Sequence, residues 1–328
     1  MSHHNHVLEN PLDLIGNTPL VHLRSFDEPT GCRILGKCEF MNPGHSVKDR
    51  IALWMVEEAE RQGRLRPGDV VVEGTAGNTG IGVALVCAAK GYRCILVIPE
   101  TMAREKIDLV RGFGAEVVLV KKVPWTDPDH YHQVAQRIVA KTPRAFFANQ
   151  FDNPDNTKAH YETTGKELWD QTGGLVDALV AGMGTSGTLL GAGRYLKERN
   201  ADVQLVAADP MGSIYYNYLM AGEAKAEGSS ILEGVGIGRL PAIFDRTALD
   251  EIIRISDQES LAAMRQIIRR EGLFVGGSAG LSVAGAVKVA TRIGPGKTIV
   301  TILCDSGRNY MSKIFNEEWM RAQGMAES

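Results

Sequence analysis

The chain has no excess of either charge: 36 Lys and Arg against 39 Asp and Glu leave a net charge of −3 over 328 residues. Without a basic field there is no electrostatic footprint for nucleic acid or for an acidic membrane surface, so neither partner class is expected. No apolar run approaches the ~20 residues of a membrane-spanning helix. The opening MSHHNHVLEN lacks the apolar core of a secretory signal, and its His3, His4 and His6 are expected to be a frayed terminus rather than a metal site. Cysteine is scarce and odd in number. Cys32, Cys38, Cys87, Cys94 and Cys304 form no C-x-x-C pair, so reduced thiols in the cytoplasm are expected rather than a disulfide framework. Internal repeats and low-complexity segments are missing too, and no metal cluster is expected.

What the chain does have is alternation of apolar β-branched runs with helical ones. Strands are expected at VVVEG (from 70), CILVIP (94), EVVLV (116), ALVAGMG (178), VQLVAAD (203) and TIVTILCD (298). Helices are expected over 79–90, 103–112, 131–141, 156–171, 187–198, 258–271 and 280–292. This order predicts an α/β protein with mostly parallel sheets covered by helices. The Gly-rich stretch from Pro210 to Pro241 is only partly periodic and is expected to cover a site.

A lysine stands where the local rules disfavour one. In PGHSVKDRIALWMVEEAERQG, Ser46 and Asp49 read as a helix N-cap and its partner three residues on, which puts Lys48 in the first helical turn. The positive end of the helix dipole and Arg50 both make an ammonium there costly. Either Lys48 points into water, or the site requires a readily deprotonated amine, hence a nucleophile.

Three strand-to-helix turns are rich in glycine, at the sheet ends where ligands of parallel α/β proteins bind. They are EGTAGNTGIG (73–82), GMGTSGTLLG (182–191) and VGGSAGLS (275–282), and each offers free N–H groups at a helix start. Close helix–strand packing explains one such turn; it explains three less well. In the second, Gly182, Gly184 and Gly187 with Asp209 match a dinucleotide fingerprint, but Thr185, Ser186 and Thr188 suit a single terminal phosphate better than a pyrophosphate. The third matches the G-x-S-x-G of a hydrolase elbow, yet the last histidine is His160, so the required order of serine before histidine fails. A lysine nucleophile, a neutral phosphate cup and a second anion-binding turn together fit pyridoxal 5′-phosphate acting on an amino acid.

NPGHSVKDR, EGTAGNTGIG, GMGTSGT, EGVGIG and CDSGRNYMSK resemble, in that order, the cysteine synthase (O-acetylserine sulfhydrylase) and cystathionine β-synthase group of fold-type II pyridoxal-phosphate enzymes. The likeness runs from IGNTPLVHL near residue 15 to about residue 320. It implies a tryptophan synthase β-like fold of two domains, each a mostly parallel twisted sheet covered by helices. The smaller, substrate-side domain would be 46–150, and the larger, phosphate-binding one 10–45 plus 151–320. It implies Lys48 as the Schiff-base lysine and proton carrier, Asn78 on the cofactor's 3′ oxygen, and Gly184, Thr185, Ser186, Gly187 and Thr188 as the phosphate cup. Ser306 would face the pyridine nitrogen, with Asp305 as its awkward neighbour. Thr75, Ala76, Gly77, Thr79 and Gln150 would bind the substrate carboxylate. The implied reaction is β-replacement through an aminoacrylate, giving L-cysteine from O-acetyl-L-serine and sulfide. Cystathionine from serine and homocysteine is the alternative; a serine or threonine dehydratase or lyase, or a non-catalytic binding relative, stands further off. A homodimer and a serine acetyltransferase C-terminal tail are the implied partners. Gly74 and Ala76 depart from the family's usual PTSGNTG, and Ser186 replaces a glycine.

Overall fold

The computed structural model describes residues 7–325, so His3, His4 and His6 lie outside the described residues. Among the described residues, ten strands form two sheets. β1 (Leu20–His22), β2 (Arg33–Cys38), β7 (Ala178–Gly182), β8 (Gln204–Pro210), β9 (Glu251–Ile255) and β10 (Thr298–Leu303) make a six-stranded sheet, ordered β1-β2-β10-β7-β8-β9. Only β1 pairs antiparallel, with Leu20 opposite Lys37; the other pairings are parallel. β3 (Val70–Gly74), β4 (Arg93–Pro99), β5 (Glu116–Val120) and β6 (Ala145–Phe147) make an all-parallel sheet in the order β5-β4-β3-β6.

The period of two explains why these runs are apolar throughout. In β7 and β8, Ala178, Val180, Val206 and Ala208 enter one core while Leu179, Ala181, Leu205 and Ala207 enter another on the opposite face. β4 divides likewise, Leu96 and Ile98 against Ile95 and Val97. Both faces of each sheet are therefore buried under helices, as parallel sheets require.

The helices are α1 (Lys48–Arg61), α2 (Asn78–Lys90), α3 (Arg104–Gly112), α4 (Tyr131–Lys141), α5 (Asp155–Ala159), α6 (Lys166–Thr172), α7 (Gly187–Lys197), α8 (Tyr215–Ala221), α9 (Asp257–Gln266), α10 (Gly277–Ile293) and α11 (Glu317–Ala322). A π-helical turn, His160–Gly165, joins α5 to α6, and another, Ile267–Glu271, follows α9. The expected helices over 156–171 and 258–271 are thus each continuous but locally widened. β1, β2, β6 and β9 were not expected: β1 and β6 have three residues each, and the charged ends of β2 and β9 conceal their apolar middles.

The start of α1 differs from the expected cap. Val47 is the capping residue, the Ser46 hydroxyl accepts from the Lys48 N–H at 3.2 Å, and the Asp49 carboxylate accepts from the Gly44 N–H as well as from Ser46. Burial pushes the Asp49 carboxyl up to about 7.

Candidate functional site

Lys48 projects from the first turn of α1 into a narrow cavity at the carboxyl ends of β7 and β10. Two main-chain ties fix it there. Val47 N–H donates to the Cys304 carbonyl at 2.8 Å, and Ser306 N–H donates to the carbonyl of His45, which itself adopts φ 61°. Lys48 is partly exposed to the cavity, and desolvation lowers its pKa despite the opposing influence of Cys304, Asp305 and Glu39. The amine is thus easier to deprotonate than a surface lysine.

Arg50 does not add free positive charge. Its guanidinium binds Glu39 (Nε–Oε2 2.7 Å, Nη2–Oε1 2.8 Å) and Glu167 (Nη1–Oε1 2.6 Å, Nη2–Oε2 2.8 Å). Lys37, fully buried on β2, joins Glu167 at 2.6 Å. The network pins α1 to β2 and α6 and neutralises the charges around the helix start.

Opposite Lys48, the turn from Gly184 to Thr188 wraps the N-terminus of α7. Its glycines answer to sterics: a Cβ on Gly187 would lie 2.1 Å from the Asn156 Oδ1, and one on Gly184 2.7 Å from the Gly234 carbonyl oxygen. Ser186, where the family has glycine, takes the left-handed conformation at φ 72°. The cup is braced from outside. Asn156 Nδ2 donates to Thr185 Oγ1 at 3.1 Å, His160 Nε2 lies 3.0 Å from Thr188 Oγ1, and the buried Tyr215 donates to the Gly184 carbonyl at 2.8 Å. Neutral hydroxyls and helix-start amides with no cation among them fit a terminal phosphate dianion. An apposed lysine in the same cavity fits the aldehyde of pyridoxal phosphate.

Asn78, the first residue of α2, reaches the cavity, where its Nδ2 donates to Asp305 at 2.5 Å. Beside it Thr79 donates to Gln150 Oε1 at 2.5 Å, Gln150 Nε2 donates to Thr75 Oγ1 at 3.4 Å, and Thr75 accepts from Gly77 N–H at 3.1 Å. The structure therefore gathers Thr75, Gly77 and Thr79 in one turn and ties Gln150, from the segment after β6, to it. Ala76 is exposed on the wall of a wider mouth of about 670 Å³, which Lys122, Trp125, Glu233, Arg239 and Lys313 also line. At Gly74 a Cβ would meet the Tyr131 carbonyl oxygen at 2.9 Å, so the local packing calls for glycine.

Ser306 is not brought into the cavity. Its hydroxyl accepts from Arg308 N–H at 3.3 Å and donates to the Phe274 carbonyl at 3.5 Å, serving the 3₁₀ turn Gly307–Tyr310. Ser278, at the start of α10, lines the cavity instead, near the Cys304 thiol, which burial and Asp305 push up to about 11. Asp305 lines it as well, with its backbone bridged to Ser46. Sequence reasoning missed Asn156, the placing of Cys304 and the Arg50 network. The third glycine-rich turn had marked Ser278, though only as a failed hydrolase nucleophile.

The pyridoxal-phosphate-dependent enzyme family profile matches residues 11–305. Cysteine synthase 1 of Neurospora crassa is 46% identical over 316 residues, covering 95% of this chain and 84% of that protein. Cystathionine β-synthase of Oryctolagus cuniculus is 44% identical over 324 residues, 98% of this chain but 59% of the relative. Among solved structures, a hydrogen sulfide-producing enzyme of Fusobacterium nucleatum superposes with a TM-score of 0.86 at 35% identity, covering 93% of this chain and 99% of that one. An O-acetylserine-dependent cystathionine β-synthase of Helicobacter pylori gives 0.86 at 32%, covering 94% and 98%.

Proposed function

The chain belongs to the pyridoxal-phosphate-dependent enzymes, and from that premise we propose that it forms L-cysteine from O-acetyl-L-serine and sulfide by β-replacement. The observation that carries this reading is Lys48, desolvated at a helix start, facing a neutral hydroxyl cup across one cavity. The relatives named above include a cysteine synthase that matches 95% of this chain.

Lys48 would hold the cofactor's aldehyde, the 184–188 turn its phosphate, Asn78 its 3′ oxygen and Ser278, rather than Ser306, its ring nitrogen. A hydroxyl there leaves the nitrogen less cationic than a carboxylate would. When bound, the cofactor supplies the electron sink that makes an amino acid's α-proton acidic and lets a β-substituent leave. The lowered pKa of Lys48 suits its amine to take that proton. Thr75, Ala76, Gly77 and Thr79, with Gln150, would hold the substrate carboxylate at the start of α2, where amides and the helix dipole favour an anion.

The substrate side would be residues 46–150, and the phosphate side 10–45 with 151–320. We place the enzyme in the cytoplasm as a homodimer; its five unpaired cysteines suit a reducing compartment. A serine acetyltransferase tail, ending in a carboxylate, would compete for the Thr75–Thr79 turn. The width of the mouth favours one second reading, in which an amino-acid thiol such as homocysteine replaces sulfide; its charge does not contribute through Arg239 or Lys313, which Asp152 and Glu233 already hold.

The test is the visible absorbance of the purified protein, followed on adding O-acetylserine and then sulfide or homocysteine. Recovery of the starting band with cysteine on adding sulfide supports the first reading. Preferential recovery with homocysteine supports the second. A visible band that survives Lys48→Ala unchanged defeats both.

A further inference from the structure

Asn78 has an amide whose two ends are claimed by different neighbours. Its Oδ1 accepts from Asn309 Nδ2 at 3.2 Å and one Nδ2 hydrogen goes to Asp305 Oδ2 at 2.5 Å. That leaves one N–H on a side chain lining the cofactor cavity. The same Asp305 oxygen accepts from the Tyr310 hydroxyl, which anchors it beside Asn78. Asp305 is 1% exposed, and its other oxygen lies close against Gly276, where a Cβ would stand only 2.3 Å away. The carboxylate is therefore wedged between the start of α10 and the Tyr310 ring. Lys106 of α3 lies over that ring at 4.1 Å and is itself held by Glu233 at 2.8 Å.

We propose that Asp305 is a positioning residue that fixes the amide orientation of Asn78, so that the remaining Nδ2 hydrogen is the one presented to the cofactor's 3′ oxygen. An acceptor on Asp305 and a donor on Asn309 together permit only one amide orientation. Rotated by half a turn, Asn78 would set its carbonyl oxygen against the carboxylate and its NH₂ against the NH₂ of Asn309. This inference rests on the assignment of Asn78 to the cofactor oxygen made above.

The experiment is a double-mutant cycle on the holoenzyme with Asp305→Asn and Asn78→Ala, read by the visible spectrum of the bound cofactor, its dissociation constant and kcat/KM. Asp305→Asn is expected to shift the visible band as Asn78→Ala does and to lower kcat/KM roughly tenfold, the scale of one hydrogen bond to a charged group. The double variant should lose little more than Asn78→Ala alone. Tyr310→Phe, which keeps the ring beneath Lys106 and removes the anchoring hydroxyl, should give a smaller shift in the same direction; it guards against Asp305→Asn failing to fold. Additive losses, or an unshifted spectrum in both Asp305→Asn and Tyr310→Phe while Asn78→Ala shifts it, would overturn the positioning role and leave the site reading intact. No shift in Asn78→Ala would instead defeat the assignment of Asn78 and the inference with it.

Discussion

Arg50 grips both oxygens of Glu39, Nε on Oε2 at 2.7 Å and Nη2 on Oε1 at 2.8 Å, with the two side chains almost wholly buried. Removing one member of a buried pair strands the other charge, which costs about 3–5 kcal/mol. Arg50→Met strands Glu39 and leaves Glu167 to Lys37 alone, so chemical denaturation should show a loss in that range. Glu39 also raises the pKa of Lys48. Left unpaired it should do so more strongly, and the pH profile of kcat/KM should move to higher pH. Wild-type stability in Arg50→Met would mean the network does not hold α1.

Ser278 and Ser306 are separated by where their hydroxyls point. Ser278 lines the cavity, whereas Ser306 serves the turn after β10. Ser278→Ala should therefore lower kcat/KM roughly tenfold or more, with Ser306→Ala staying within about twofold. Steady-state kinetics of both variants decides the matter; the reverse order would restore Ser306 to the ring nitrogen.

Ser186 adopts φ 72° at the lip of the phosphate cup. A left-handed non-glycine residue costs about 1–2 kcal/mol, and glycine's extra freedom in the unfolded chain returns about 0.5–1 kcal/mol. Ser186→Gly should thus stabilise the apoprotein by about 0.5–1 kcal/mol. Its hydroxyl donates to the neighbouring Thr185 carbonyl, so cofactor affinity should change little. Thermal unfolding of the apoprotein and a cofactor titration check the two halves separately.

Glu73 is fully buried at the end of β3, and burial lifts its carboxyl to about 8 although Asn149 N–H donates to it at 2.7 Å. Its unfolded value is about 4.3. With the folded pKa the higher one, the stabilising contribution is complete below about pH 4 and is lost as pH rises through about 8. Glu73→Gln keeps an acceptor for Asn149 and removes the titration. Its Tm should fall less than that of the wild type between pH 5 and 9. Asp49, raised to about 7, and Asp209, raised to about 6, preserve part of the slope. Parallel Tm curves for the two proteins would refute the assignment to Glu73.

β3, β4, β7, β8 and β10 are legible in the sequence because strands buried on both faces must be apolar at every position. β2 is not, since Lys37 interrupts RILGKC, and only the fold shows Glu167, 130 residues on, neutralising it. The glycine-rich turns stand out because Gly184 and Gly187 have no room for a Cβ. The choice between Ser278 and Ser306 stays hidden for the opposite reason. Ser306 follows β10 and Ser278 opens α10 after a loop, and only the fold, through the pairing of Val275 with Ser306, brings the two segments side by side.

His160 shows how a residue can matter without signalling it. In sequence it serves only to exclude a hydrolase, as the last histidine before a possible serine nucleophile. In the fold its Nε2 lies 3.0 Å from Thr188 Oγ1 and its Nδ1 2.9 Å from Thr164 Oγ1. Burial, with Lys48 and Arg50 nearby, holds its pKa well below the usual range, so the ring is neutral, with one N–H and one lone pair. A phosphate dianion only accepts, so Thr188 must give it a proton and accept in turn from His160. That requires the hydrogen on Nε2 and a donating Thr164 hydroxyl at Nδ1. Thr164→Val removes that donor at nearly constant volume and frees the ring to take the other tautomer, which would claim the proton of Thr188. The dissociation constant for pyridoxal phosphate should rise roughly tenfold, and that for unphosphorylated pyridoxal should hardly move. Fluorescence titration of the apoprotein with both compounds measures this directly. An equal loss for the two would assign the effect to loosened packing around α7, because only a phosphate-specific loss requires His160 to set the direction of the Thr188 proton.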